Sequence, residues 1–313
     1  MENLILSLNV IAPLCLLILI GVAINRVGLI GSDGVRQMNA ITFRVFLPVL
    51  LFNNIYKTTI AEVFDAGLVV YAVVTCLLSF LIGMLLLPKL VKDKAIIGEM
   101  IQGSLRSSIV LYGLPVVTGL FGESAAGITA LLVALVVPLI NVMSVIALQV
   151  FTGHESNKHD IILSILKNPL IIGSLGGILF SLTGIRLPAF LETTLNDVGR
   201  LATPIALIML GASFRVSSIA AHFKELAGCV IVKLVAYPLI FLTVAILLGF
   251  RGVHLAVLLT LYGSPTASAS FAMAQQMTSG DGMLTANIIV FTSVFGTVTM
   301  FLFIFVLKSF GFI

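Results

Sequence analysis

The sequence predicts an all-α integral membrane protein: ten transmembrane helices forming two inverted five-helix repeats, with helices 4 and 9 broken and crossing. Three observations carry this expectation. Only 10% of the 313 residues are charged while 59% are hydrophobic, and mean hydropathy is +1.21. Ten apolar runs follow one another with short polar separators. Motifs of the first half recur in the second at matching positions. A soluble domain carries roughly 25% charged residues, so most of this surface faces lipid. That excludes a soluble enzyme, a nucleic-acid binder and a disordered chain.

The runs lie near residues 4–25, 37–56, 67–88, 96–120, 125–151, 161–183, 195–213, 226–249, 253–277 and 283–307. About 20 apolar residues cross a hydrocarbon core. The first run begins at Met1-Glu2-Asn3 with no basic n-region and exceeds a secretory h-region, so it reads as a true span. The separators hold nearly all the charge: Arg26 to Arg36, Lys57 to Asp65, Lys89 to Lys94, His154 to Asp160, Arg215 to Lys224. None is long enough for a soluble domain, so residues 1–313 are expected to form one membrane domain.

Lys and Arg orient the spans. Loops after spans 1, 3, 5, 7 and 9 hold nine: Arg26, Arg36, Lys89, Lys92, Lys94, Lys158, Lys167, Arg215 and Lys224. The opposite side holds four: Lys57, Arg186, Arg251 and Lys308. The odd loops are therefore expected in the cytoplasm and both termini outside, in the cytoplasmic (inner) membrane. The 17 Lys+Arg against 13 Asp+Glu are scattered singly, with no run that would serve nucleic acid. Cys15, Cys76 and Cys229 sit inside apolar runs without pairing or metal-ligand spacing.

The ten runs split into two fives, residues 1–151 and 152–313. At a constant shift of 156, Pro13 matches Pro169, Gly21 matches Gly177, Gly28 matches Gly184, and Arg44 with Pro48 matches Arg200 with Pro204. Leu111-Tyr112-Gly113-Leu114-Pro115 in span 4 recurs as Leu261-Tyr262-Gly263-Ser264-Pro265 in span 9. Each half has an odd number of spans, so the second enters from the opposite side, as in inverted-repeat secondary transporters.

Proline has no N–H and its ring clashes with the preceding turn, while glycine loosens the helix beside it. Gly113-Leu114-Pro115 and Gly263-Ser264-Pro265 are thus expected to interrupt spans 4 and 9 near mid-bilayer. Freed backbone there must be buried in protein or face a polar cavity. Half-helix N-termini meeting at that depth favour an anion, a carboxylate above all. Ser108, Ser264, Thr266 and Ser268 are expected to line the cavity, while Ser104 and Ser270 pack helices.

These residues resemble the auxin efflux carrier family, which includes plant PIN carriers and bacterial malate- or malonate-permease-like proteins. The resemblance runs through Leu47-Pro48 to Phe52 in span 2, Arg106-Ser107-Ser108 and Gly113-Leu114-Pro115 in span 4, Pro204 to Gly211 in span 7, and Pro265-Thr266-Ala267 to Ala274 in span 9. It implies the ten-helix fold shared with bile-acid-type symporters and cation/proton antiporters. It also implies a scaffold of spans 1, 2, 6 and 7, a moving transport domain of spans 3–5 and 8–10, an elevator mechanism, a homodimer through the scaffold, and a small organic anion as substrate. Pro115 and Pro265 are the implied crossover prolines. Two positions depart from the family pattern: Ser108 stands where members usually have Asn, and Gln275 where many have Lys.

Charges inside spans are functional candidates. Arg44 and Arg200 are either functional or snorkel to the nearer interface. Arg106 either steers an anion or pairs with Glu99, and Lys233 is expected to be paired. No Asp or Glu lies near either expected break, so a carboxylate proton relay at the crossing lacks its residue. Sodium can still bind backbone carbonyls with Asn53, Asn54, Asn141 or Asn287, or these residues make interhelical hydrogen bonds; Asn53 and Asn141 are kept as site candidates. His154, His159, His222 and His254 lie in or beside loops, with no metal-binding pair at helical spacing, and no hydrolase or metalloprotease motif occurs. No catalytic residue, metal or cofactor is expected. The function read from the sequence is a secondary carrier of small carboxylates. The alternatives are a sodium- or proton-coupled carrier of the same fold and, behind it, a channel.

Overall fold

The structure is a computed structural model describing residues 2–58, 64–122, 125–151, 158–214, 216–278 and 281–313. Among the described residues every regular element is a helix and no strand occurs. The first half comprises α1 (Glu2–Arg26), α2 (Ser32–Ile41), α3 (Leu47–Tyr56), α4 (Ala66–Leu90), α5 (Ile97–Leu105), α6 (Leu114–Phe121) and α7 (Ala126–Val150). The second comprises α8 (Lys158–Leu166), α9 (Pro169–Thr183), α10 (Ala189–Ser213), α11 (Val216–Ala221), α12 (Phe223–Ile231), α13 (Tyr237–Leu247), α14 (Gly252–Gly263), α15 (Ala269–Met277) and α16 (Met283–Ser309).

Among the described residues, six helical stretches are long and apolar enough to cross a membrane: Ser32–Tyr56, Ala66–Leu90, Lys94–Phe121, Ala126–Val150, Phe223–Leu247 and Met283–Ser309. Shorter apolar helices run over Ala12–Arg26, Pro169–Thr183 and Gly252–Gly263. Large apolar side chains such as Leu19, Leu85, Leu179 and Leu302 are exposed on the outer faces, as a multi-pass membrane protein requires. Arg44 and Arg200 are exposed too, away from the interior. His154, Arg215 and residue 152, where the second repeat was expected to begin, lie outside the described residues.

Among the described residues three spans contain a π turn, at Thr42–Phe46, Ile109–Gly113 and Val232–Ala236. Each ends two residues before a proline: Pro48, Pro115 and Pro238. The intervening Leu47, Leu114 and Tyr237 donate their N–H groups to the carbonyls of Thr42, Ile109 and Val232. Widening the turn ahead of the pyrrolidine ring relieves its clash with the preceding carbonyl, so the helix runs on through the proline. The expected sixth span, 161–183, is instead two helices. Pro169 holds the first turn of α9, and the Asn168 side-chain oxygen accepts the Leu170 N–H at 2.9 Å, capping the new helix.

The largest buried apolar cluster joins α4 to α7 with α13, α14 and α16, through residues such as Leu68, Ile97, Leu132, Leu258 and Ile304. Beside it α1 lies along α10, and α9 along α3. Glycine permits both approaches. A Cβ on Gly21 would stand 2.0 Å from the Ile208 carbonyl oxygen, and one on Gly177 2.9 Å from that of Phe52. Dispersion and close packing, not water exclusion, hold helices together in lipid, so small residues mark the seams.

Two predictions follow from this packing. Gly21→Ala should cost about 3 kcal/mol or more, because backbone cannot yield as a side chain can. Gly228→Ala, in α12 with open space around it, should instead stabilise by about 0.5–1 kcal/mol. Thermal unfolding in detergent compares the two. The second concerns Asp65, which caps α4 by accepting the Leu68 N–H at 2.8 Å and faces His254 Nε2 at 3.0 Å. The Leu68 amide, and after it His254, hold this carboxyl below its ordinary value. Asp65→Ala should cost about 1 kcal/mol at neutral pH. A lowered folded-state value stabilises above the unfolded one, so the difference should fade as pH drops below about 3.9 and through the folded value.

Candidate functional site

Two helix breaks meet in the interior. In the second half, α14 stops at Gly263, the chain runs extended through Ser264 (φ −72, ψ 154), and α15 starts at Ala269 with Ser268 as N-cap. That is where Gly263-Ser264-Pro265 was expected to break the span. In the first half the break is displaced. α5 stops at Leu105, Arg106 is extended (φ −73, ψ 134), and Ser108 precedes the π turn that leads into α6. Gly113-Leu114-Pro115 therefore lies inside a helix, not at the interruption. The π turn absorbs the proline, so the chain has no need to unwind there.

The unwound segments satisfy one another. Ser108 N–H donates to the Pro265 carbonyl at 2.9 Å. Thr266 Oγ1 donates to the Gly103 carbonyl at 2.6 Å, and its N–H donates to Thr292 Oγ1 at 3.1 Å. Ser107 Oγ donates to the Leu261 carbonyl and accepts from Lys233 Nζ. Each break thus supplies acceptors for donors of the other, which the low-polarity interior demands.

Beside this junction is a cavity of about 80 Å³, lined by Arg106, Ser108, Asn54, Asn141, Thr203 and Ser268 with apolar walls from Leu47, Leu50, Val137 and Ile140. At about 30 Å³ per water, it has room for a carboxylate-sized group. Both half-helix N-caps, Ser108 and Ser268, open onto it, and neither makes a side-chain capping bond. First-turn N–H groups have no intrahelical acceptor and carry the positive end of the helix dipole. Asn141 is fully buried, and neither its amide oxygen nor its nitrogen finds a protein partner. Asn54 Nδ2 is likewise unpartnered. Arg106 is 4% exposed; among the described residues it meets no carboxylate, and its Nη1 lies 3.3 Å from Met273 Sδ.

Of the residues expected at the site, Arg106, Ser108, Asn141 and Ser268 converge on this cavity. The others have different roles. Thr266 spends its hydroxyl on Gly103, Ser264 is wholly buried with Oγ unpartnered, and Gly263 ends α14. Asn53 donates to the Leu195 carbonyl at 2.7 Å, tying α3 to α10, while its neighbour Asn54 faces the cavity. Helical rotation of about 100° per residue decides between those two. Leu114 lines a second cavity of about 330 Å³ toward Lys57 and Thr58, which shares Asn54 and Val110 with the first. A third, of about 550 Å³, lies at the other end among Asp33, Arg36, Gln275 and Asp281. Between that end and the junction, Asn39 Nδ2 donates to Gln275 Oε1 at 2.6 Å.

Two expectations about ion pairs change. Glu99 does not pair with Arg106: its Oε2 accepts from Thr285 N–H at 2.8 Å and Oγ1 at 2.9 Å. Lys233, 1% exposed, bonds Ser107 rather than a carboxylate. Sequence pattern named Asn54 only as a possible sodium ligand or interhelical bond and kept Asn53 instead; it missed Thr203 and the Lys233–Ser107 link. Only the rarity of an intramembrane Lys pointed toward the last.

A family model described as membrane transport protein matches residues 6–304. The chain belongs to that family. The resemblance to auxin efflux carriers pointed to it. Among relatives, the uncharacterized transporter YfdV of Escherichia coli is 24% identical over 279 residues, covering 84% of this chain and 86% of its own. An uncharacterized transporter of Methanothermobacter thermautotrophicus is 22% identical over 270 residues, covering 86% and 88%. Each alignment covers more than four-fifths of both chains.

In this transporter Lys233 Nζ donates to Ser107 Oγ, its one hydrogen-bond acceptor among the described residues. Ser107→Ala should cost about 1–3 kcal/mol by stranding a buried donor. Lys233→Met in the same background should recover most of that loss. Unfolding midpoints of the two single variants and the double variant measure the coupling.

Proposed function

We propose that this membrane transporter is a secondary-type carrier of small organic anions, carboxylates in particular, held at the crossing of the two broken helices. The observation that carries this reading is Arg106: a buried guanidinium with no carboxylate partner among the described residues, opening onto a cavity with two free half-helix N-caps. A buried unpaired charge is costly, and an anion in the cavity offsets it. Asn54, Asn141, Ser108 and Ser268 supply hydrogen bonds, and the apolar walls receive a short carbon chain.

The proposed architecture is ten spans in two inverted repeats. The glycine seams support it: Gly21 approaches Ile208 and Gly177 approaches Phe52, the same pair after exchanging halves at the shift of 156. In this reading spans 1, 2, 6 and 7 form a scaffold and the homodimer contact, while the segments around the large apolar cluster move as an elevator. The cavity toward Lys57 adjoins the site, whereas the Asn39–Gln275 bond closes the Arg36 end. With Arg36 cytoplasmic and both termini outside, in the inner membrane, this is an outward-open state.

A thermal-shift screen against mono- and dicarboxylates, with and without Na⁺, tests the reading. A ligand at a hundredfold excess over its Kd adds about 2.7 kcal/mol. A short carboxylate should raise the midpoint, Arg106→Gln should abolish the rise, and Ser108→Ala should reduce it. Stabilisation by neutral or cationic amphiphiles alone would overturn the anion assignment.

A further inference from the structure

Glu99 is a second buried ionisable group that the anion site does not use. It is 4% exposed and makes no salt bridge among the described residues, with His222 its nearest cationic candidate. Its surroundings are already connected. Oε2 accepts from Thr285 N–H and Oγ1 on α16. Thr285 Oγ1 in turn accepts from Gln102 Nε2 at 3.4 Å, and Gln102 Nε2 also donates to the Ser270 carbonyl on α15 at 3.2 Å. These bonds fix which end of the Gln102 amide faces which way. They leave Gln102 Oε1 buried as an acceptor with no donor.

Gln102 lies one turn beyond Glu99 on the same face of α5, within reach for an i, i+3 pair. A protonated Glu99 provides the missing donor: its O–H can bond an acceptor that nothing else satisfies. We propose that Glu99 is a proton-binding site of this carrier, loaded from solution on one side of the membrane and emptied on the other. The step is one O–H bond formed with a proton from water and the same bond broken on release. It requires no other reactant.

A proton fits the surroundings better than a metal cation. A cation needs a shell of oxygen ligands in an open site. Here Oε2 is occupied by two donors, and none of the cavities described above reaches Glu99. The ionisable groups around it have other positions. α12 brings Glu225 and Cys229, with His222 at its N-cap, and Asp281 precedes α16. Lys94 lies in the turn before α5, Lys233 bonds Ser107, and α4 carries Tyr71, Cys76 and Lys89. α7 and α15 contain no titratable residue.

The site couples to transport through distance. Glu99 lies in the first turn of α5 and Arg106 just past its C-terminal end, seven residues on and on the order of 10 Å along the axis. An anion beside Arg106 should strengthen proton binding at Glu99 by about tenfold, at an effective dielectric near 20. By reciprocity the proton strengthens anion binding equally, and the two cross together as symport. The coupling rests on the proposed anion site; the proton site itself does not.

Infrared spectroscopy of the protein in nanodiscs reads Glu99 directly. At neutral pH the carbonyl stretch of a protonated carboxylic acid should be present, should vanish in Glu99→Gln, and should change frequency in Thr285→Val, which keeps the carboxyl but removes one donor. An acid band unaltered by both variants overturns the proposal. So does an acid band converted to carboxylate by NaCl but not by choline chloride, which would make Glu99 a sodium ligand. The pH titration of the band should move up by about tenfold in proton affinity with pyruvate or malonate, and an unmoved titration overturns the coupling. If neither pyruvate nor malonate binds while the acid band persists, the anion reading fails and the proton site stands.

Discussion

The structure depends on pairing backbone groups that two broken helices expose in a low-dielectric interior. An unsatisfied peptide group in lipid costs several kcal/mol. The Ser108–Pro265 backbone bond, the Thr266 hydroxyl on Gly103 and the Ser107 hydroxyl on Leu261 meet that demand across the junction. Each bond joins one half of the chain to the other. Neither break is therefore tolerable alone, and the two must cross.

The same constraint sorts the polar side chains. Hydroxyls closest to the unwound backbone are consumed by it, as Thr266 and Ser107 are. Those one step removed, Ser108 and Ser268, cap the half-helices without a capping bond and open on the cavity with Asn54 and Asn141. Structural and recognition roles are divided over a few residues of the same chemistry. Arg106, in the break itself, adds the one formal charge that faces that space among the described residues.

Proline does not by itself break a helix here. Pro48, Pro115 and Pro238 each follow a π turn and are carried within helix, whereas Pro265 lies in an extended segment whose carbonyl is taken by Ser108. The recurrence of Leu-Tyr-Gly-x-Pro in both halves made Pro115 and Pro265 look equivalent. What differs is the residue that precedes them in space: Pro265 has a partner strand of unwound chain to bond, and Pro115 has an intact π turn behind it.

Much of the molecule was legible in the sequence. Ten apolar runs with charge confined to short separators pointed to a helical membrane chain, because runs of about 20 apolar residues fit spanning helices that satisfy their own backbone, whereas barrel strands are about half as long. Gly263-Ser264-Pro265 marked one break, and Arg106, Ser108, Asn141 and Ser268, each a site candidate from the sequence, line one cavity. Only the tertiary structure decided the rest. The first break moved to Arg106–Ser108, the sixth run divided at Asn168, and Asn53 turned to α10 while Asn54 turned to the cavity. Glu99 found the Thr285 hydroxyl rather than Arg106, and Lys233 the Ser107 hydroxyl rather than a carboxylate. Composition and period report how often a residue meets lipid or protein. Which donor meets which acceptor is set by the rotation and depth of packed helices, and those exist only once the chain has folded.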